Sequence, residues 1–204
     1  MIPIRAQPEP VNFSKKVREP GKAFLKKIPH PTTREWKNRE YWQRVLPDLY
    51  EAYGGFCAYC AEWISRTTCD CQVDHFIPKS IQPELAYEWN NYRLASCRFN
   101  RKKGIYQDVL DPFNLEPDWF ILEFPSLAVK PNPALSAFQA KQVIATRDHL
   151  GLNDEICMVS RLRWIRDFCR RSITFEYLKQ NAPFIAYELE RQNLVEKITL
   201  MMGT

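Results

Sequence analysis

Adjacent carboxylate and imidazole side chains stand near the middle of the chain, in the stretch CQVDHFIPKS at residues 71–80. Asp74 supplies the carboxylate, and His75 is one of only 3 histidines in the chain. Hydrolysis of a phosphodiester needs a base that deprotonates water, and a neutral imidazole suits this role because its ordinary pKa lies near working pH. A divalent ion can neutralise the phosphate and stabilise the leaving oxygen. The pair therefore suggests a metal-assisted hydrolytic site.

A metal at this site would need a second protein ligand. Mg²⁺ prefers hard oxygen ligands and keeps several waters, so one carboxylate and one amide oxygen would suffice. Asn100 can supply the amide oxygen, because it lies about one turn into the helix that we predict for CRFNRKKG at residues 97–104. We therefore predict a Mg²⁺ or Mn²⁺ ion bound by Asp74 and Asn100, with His75 as the general base.

Basic side chains accompany Asn100 on the predicted helix. They could line a path for phosphate groups, or they could form an ordinary solvated helix face. Beside a metal site we favour phosphate contact, which positions a nucleic acid without reading its bases. The residues concerned are Arg98, Arg101, Lys102 and Lys103.

Two predicted strands and a helix must bring these groups together. CQVDHFIP is typical of a strand that ends near Pro78, a second short strand covers Tyr92–Ala95, and a helix begins near position 96 or 97. Adjacent strand residues point to opposite faces, so Asp74 and His75 can serve one site only where the first strand ends and twists. The predicted order is strand, loop, strand, helix.

The stretches VDHFIPKS, WNNYRL and CRFNRKKG, taken in this order, resemble the HNH (ββα-metal) nuclease motif. The resemblance implies that Asp74 and Asn100 bind the metal and that His75 is the general base. It also implies that a middle asparagine braces the loop between the strands and so orients the base. Asn90 and Asn91 are adjacent, and the spacing favours Asn91 for this role.

A looser resemblance extends over most of the chain. MIPIRAQPEP, CAYC, LDPF and LGLND, together with the stretches above, are similar to the HNH proteins that accompany an ATPase in Septu-type and retron-linked anti-phage defence. This resemblance implies a partner ATPase and a nuclease restrained until infection. DNA is the expected substrate, and a structured RNA such as tRNA is the alternative. The rival to an enzyme is a non-catalytic cysteine-knuckle module that binds nucleic acid or a partner.

The cysteines of the chain could form only part of a structural zinc site. Many HNH proteins carry two CxxC pairs that hold a structural zinc, and Cys57 and Cys60 form one such pair. Ser96 and Phe99 stand where the second pair should be, so we expect Phe99 to pack into that space instead. A structural zinc ordinarily needs four ligands, and the remaining candidates have no standard spacing. These candidates are Cys69, Cys71 and Cys97.

The flanking segments predict an α+β protein with a small HNH core. We expect an extended, basic, proline-rich arm at residues 1–31, a nuclease domain with a leading helix at 32–115, a connecting segment at 116–135 and a helical region at 136–204. The leading helix should start at a cap at Thr32 or Thr33, kink or break at Pro47 and end at Gly54-Gly55. The connecting segment could form a hairpin.

The C-terminal region shows helical spacing from Ser136 onward. Phe138, Val143 and Leu150 mark the apolar face that we expect its first helix to bury. Further on, an arginine face with three- and four-residue spacing could bind nucleic-acid backbone, an acidic partner surface or only water. Its members are Arg163, Arg166 and Arg170.

Charge and hydropathy set broad limits on function. The net charge of +5 is compatible with nucleic-acid binding without requiring it. The N-terminus lacks the apolar region of a signal peptide, and no apolar run approaches the roughly 20 residues of a membrane span. We therefore expect a cytoplasmic protein with reduced cysteines and no membrane partner.

Overall fold

A computed structural model describes residues 1–67 and 71–202 and confirms the α+β class. The chain divides into two compact units. The first, called here the ββα unit, comprises Arg5–Ala58 and Ile64–Gln107. The second, called the helical unit, comprises Met1–Ile4, Tyr59–Trp63 and Asp108–Thr204.

An antiparallel strand pair and one helix form the centre of the ββα unit. Strand β1 (Cys71–His75) pairs with β2 (Tyr92–Ser96), and Asp74 lies opposite Arg93 in the register. One helix of this unit, Cys97–Lys103, follows β2 directly and ends at Gly104, whose φ of +50° favours glycine. The predicted order of strand, loop, strand and helix is confirmed.

The loop between β1 and β2 contains two short 3₁₀ turns, Pro83–Tyr87 and Trp89–Asn91. Backbone bonds fix its ends: the amide of Phe76 donates to the carbonyl of Asn91 over 2.8 Å. The loop is therefore an ordered part of the unit rather than a loose connection.

The prediction of an extended N-terminal arm is wrong for Ser14–Lys27. A π-helical turn (Ser14–Arg18) continues into helix α1 (Glu19–Lys27). Phe13 and Val17 are fully buried, so this segment belongs to the core of its unit. The proline-rich composition gave no sign of these buried apolar residues. Pro20 directly follows the π-helical turn within one continuous helical segment, where its nitrogen has no hydrogen to donate.

The predicted leading helix is three short helices. These are α2 (Thr33–Trp36), a 3₁₀ turn (Tyr41–Val45) and α3 (Leu46–Ala52). A capping box between Thr32 and Glu35 starts α2, as the sequence predicted, and the chain turns at positive φ at Gly54 and Gly55. The helix that follows β2, Cys97–Lys103, is accordingly α4.

The helical unit contains a hairpin of β3 (Phe120–Leu122) and β4 (Val129–Pro131). Its helices are α5 (Ala137–Leu150), α6 (Glu155–Cys169), α7 (Phe175–Asn181), α8 (Pro183–Arg191) and α9 (Ile198–Met202).

Helix α5 starts at the predicted cap, where Ser136 and Gln139 form a capping box. Val143 and Leu150 are buried as predicted, whereas Phe138 is 71% exposed, so its assignment to the buried face is wrong. Phe138 lies in the first turn of α5, ahead of the turns that bury Val143 and Leu150. In the described ranges, every helix is too short or too polar to cross a membrane.

Candidate functional site

A cavity of about 770 Å³ opens in the ββα unit beside the end of β1. Asp74, His75 and Asn100 all line it, so the three groups predicted to act together share one cavity. Its other walls come from β1, from the segment after β1, from α2 and from the 3₁₀ turn that follows α2. These walls include Gln72, Lys79, Glu40, Trp36 and Trp42.

The His75 ring is oriented by the loop between the strands. Its Nε2 lies 2.9 Å from the carbonyl oxygen of Ala86. Because a carbonyl only accepts, Nε2 carries the proton and Nδ1 is the nitrogen that can accept one. The rings of Trp42 and Tyr92 meet the imidazole edge-on, with centroids 4.6 Å and 5.3 Å away.

Burial determines the charge state of this imidazole. It lowers the pKa of His75 to about 3, and the positive charges of Lys79 and Lys103 act in the same direction, whereas the hydrogen bond to Ala86 opposes them. His75 is therefore neutral near pH 7, which is the form that a general base requires.

Asp74 is held by a buried lysine. Lys103 Nζ lies 3.3 Å from Asp74 Oδ1 and donates to the carbonyl of His75 over 2.9 Å. Lys103 is 0% exposed, so its prediction as a phosphate-contacting surface residue is corrected. Asn100 and Lys103 are three residues apart and share a face of α4. The helix face that carries Asn100 to the cavity therefore also turns Lys103 inward.

Asn100 is oriented by a neighbouring side chain of β1. Its Nδ2 donates to Gln72 Oε1 over 2.7 Å, which leaves the carbonyl oxygen as the atom suited to a cation. Gln72 and Asp74 are two residues apart, so they point to the same face of the strand. One face of β1 thus meets one face of α4 through two polar pairs, Gln72 with Asn100 and Asp74 with Lys103.

The donor set suits a hard divalent ion. Asp74 offers a carboxylate and Asn100 an amide oxygen, and the cavity leaves room for waters and a phosphate. Mg²⁺ is commonly bound by one or two carboxylates with substrate oxygens and water. The positive charge of Lys103 beside Asp74 should reduce the affinity for a cation.

Asn91 ties together both ends of the loop that orients His75. Its Oδ1 accepts from the amide of Ile77 over 2.8 Å, and its Nδ2 donates to the carbonyls of Ile77 and Leu85 over 2.9 Å and 3.2 Å. Leu85 directly precedes Ala86, whose carbonyl holds His75. Asn91 is buried, and its bonds to backbone groups fit the bracing role predicted for it.

Sequence reasoning missed Lys79 and Trp42. Lys79 Nζ lies 4.5 Å from the centre of the Trp42 ring and 5.5 Å from that of Trp36. Burial lowers the pKa of Lys79, and the charge of Glu40 opposes this shift. Lys79 stands within VDHFIPKS, but the tryptophans are remote in sequence, so no local spacing signals their contact.

The other basic residues predicted to contact nucleic acid differ in how exposed they are. Arg101 and Lys102 are exposed on α4, and Arg98 is half-buried. Arg163 and Arg166 are exposed on α6, and Arg170, the residue that caps this helix, is exposed as well.

Whether Cys57 and Cys60 bind a structural zinc is not decided by their surroundings, so the expectation stays a prediction. Cys57 is buried in the ββα unit, while Cys60 belongs to the helical unit and is half-buried. Among residues 1–67 and 71–202, no three His, Cys, Asp or Glu side chains form a group that could hold a metal ion. Cys69 lies outside the described residues. Phe99 is buried, as expected.

Part of the chain is similar to a known protein. No protein-family model matches the chain. Over 65 residues it is 35% identical to the Septu protein PtuB of Bacillus thuringiensis. The matched segment is 31% of this chain, and the chain spans about a quarter (25%) of the length of PtuB.

Proposed function

We propose that this protein is a metal-dependent endonuclease that hydrolyses phosphodiester bonds. The observation that carries the proposal is the shared cavity of Asp74, His75 and Asn100. Its lining includes a carboxylate, an amide oxygen and a neutral imidazole whose Nδ1 can accept a proton. These are the groups that such a hydrolysis requires.

In the proposed reaction, His75 Nδ1 removes a proton from a water molecule, which attacks phosphorus. A Mg²⁺ or Mn²⁺ ion held by Asp74 and Asn100 would supply charge neutralisation at the phosphate and at the departing 3′ oxygen. The negative phosphate of a bound substrate raises the pKa of the imidazole again, so His75 becomes a stronger base when substrate is present.

We also propose a biological role for this nuclease. PtuB is named as a Septu protein, and the motifs resemble nucleases that accompany an ATPase in anti-phage defence. We therefore place this chain as the nuclease of a defence complex with an ATPase partner. DNA is the proposed substrate, and a structured RNA such as tRNA is the alternative.

A cleavage assay tests the proposal. Purified protein, alone and co-expressed with proteins encoded beside it, is incubated with plasmid and with total tRNA in Mg²⁺ or Mn²⁺. We expect cleavage of plasmid that His75→Ala abolishes, and stronger cleavage by the co-expressed form. His30→Ala is the matched control, because His30 is an exposed histidine outside the cavity.

The assay tests the substrate, the catalytic residue and the enzymatic activity separately. Cleavage of tRNA alone would reassign the substrate to RNA. A His75→Ala protein that cuts as fast as the wild type would remove the catalytic assignment. Nucleic-acid binding without metal-stimulated cleavage would favour a binding module instead.

A further inference from the structure

Two lysines adjoin the candidate site, and their surroundings differ. Lys103 is fully buried and its ammonium is bonded to Asp74 and to the backbone of His75. Lys79 lines the cavity and is partly exposed. Within residues 1–67 and 71–202, no carboxylate lies within salt-bridge distance of the Lys79 ammonium. Lys103 is thus paired with an adjacent anion, whereas the charge of Glu40 acts on Lys79 from beyond that distance.

Aromatic rings hold the Lys79 ammonium in place without neutralising it. It lies over Trp42 and Trp36 at 4.5 Å and 5.5 Å from the ring centres. A cation over an indole gains about 0.5–2 kcal/mol and keeps its full positive charge. Partial burial lowers the pKa of Lys79, which shows that the charged form carries a desolvation cost here. An anion entering the cavity would offset that cost.

Trp42 also connects Lys79 to the proposed base. The Trp42 ring contacts the imidazole of His75 at a centroid distance of 4.6 Å and the Lys79 ammonium at 4.5 Å. The positive charge of Lys79 is felt at His75, where it helps to keep the imidazole neutral. A phosphate bound at Lys79 would therefore lie beside the imidazole that activates water.

We propose that Lys79 binds a non-bridging oxygen of the phosphate that is cleaved, and that Trp36 and Trp42 position its ammonium for this contact. The proposal rests on the proposed nuclease function and adds a catalytic residue to it. Lys79 supplies a positive charge on the phosphate in addition to that of the metal. Such a donor contributes most where negative charge develops in the transition state.

Single-turnover cleavage of a short labelled DNA duplex tests this role. Lys79→Met keeps the aliphatic stem that packs on the tryptophans but removes the charge. We expect its rate at saturating metal to fall roughly 100-fold, with a smaller loss of duplex affinity. Lys79→Arg keeps the charge and should recover most of the rate. Lys141→Met removes an exposed lysine of α5 and should leave the rate unchanged within about twofold.

Tryptophan fluorescence gives a second measurement that needs no cleavage. In a His75→Ala background without metal, adding a short oligonucleotide should draw the Lys79 ammonium from Trp42 and change the emission. The same titration with Lys79→Met should lack this change. Lys79→Gln is the second neutral variant if Lys79→Met fails to fold, as judged by circular dichroism.

The two proposals fail in different ways. If the wild type does not cut, the nuclease function is lost, while the fluorescence titration still decides whether Lys79 contacts phosphate. If the wild type cuts and Lys79→Met cuts equally fast, the role of Lys79 is overturned. Equal losses in Lys79→Met and Lys79→Arg would assign Lys79 to packing and would also overturn it.

Discussion

Lys103 and Asp74 form an ion pair of 3.3 Å in which the two side chains are 0% and 3% exposed. Charges removed from water in this way are tolerated only while each has its partner. The pair links α4 to β1, and Lys103 also bonds the carbonyl of His75. It therefore joins the proposed metal ligand and the proposed base to one helix.

Removing the lysine should destabilise the protein strongly. We expect Lys103→Met to lower the free energy of unfolding by about 3–5 kcal/mol, because it removes a buried positive partner of the buried Asp74 carboxylate. Urea denaturation measures this change. The double variant Asp74→Asn/Lys103→Met should recover part of the loss. Lys102→Met, at the exposed neighbouring position, should change stability by less than about 0.5 kcal/mol.

Lys103→Met should strengthen metal binding although it weakens the fold. Without the Lys103 charge, Asp74 should bind Mn²⁺ at least about tenfold more tightly. Bound metal should then raise the melting temperature of Lys103→Met more than that of the wild type. Calorimetric titration and thermal melts with and without Mn²⁺ measure both effects. Equal Mn²⁺ affinity in Asp74→Asn and in the wild type would contradict the ligand assignment.

Local patterns predicted the centre of the ββα unit. Strand β1 ends before Pro78, β2 is a short apolar run, and α4 starts after Ser96, so each boundary carries its own signal. The three groups Asp74, His75 and Asn100 follow from these boundaries, because the elements that carry them are adjacent in the chain.

Contacts that depend on tertiary packing could not be predicted in this way. Proline-rich composition suggested an extended arm, whereas burial of Phe13 against Trp89, at 5.6 Å between centroids, stabilises a helical segment. Lys79 and Trp42 meet only when remote segments fold together. The inward orientation of Lys103 could have been predicted, because its three-residue spacing from Asn100 puts both residues on one face of α4.

The loop anchored by Asn91 should loosen when the amide is removed. Asn91→Ala removes the partner of the part-buried N–H and C=O of Ile77 and one of the two donors to the C=O of Leu85, which should cost about 1–3 kcal/mol. Hydrogen exchange at the Ile77 amide should accelerate, because this N–H donates to Asn91 Oδ1. Cleavage should slow without a matching loss of substrate binding, since the loop orients His75.

Asn90→Ala is the matched control for this change. Asn90 is exposed and adjacent, and it offers its backbone carbonyl, rather than its side chain, to Arg93. The variant should keep the exchange rate of the Ile77 amide and the cleavage rate of the wild type. Equal effects of the two substitutions would contradict the bracing role of Asn91.

Acid should destabilise the protein through His75. Burial lowers its pKa from 6.5 to about 3, so below pH 6.5 the unfolded chain binds a proton that the folded protein does not. Stability therefore falls as the pH falls from 6.5 towards 3, by about 2 kcal/mol at pH 5. His75→Gln, which can still donate to Ala86, should lack this contribution. Urea unfolding of both proteins at pH 7 and pH 5 measures the difference, and parallel losses would place the acid sensitivity elsewhere.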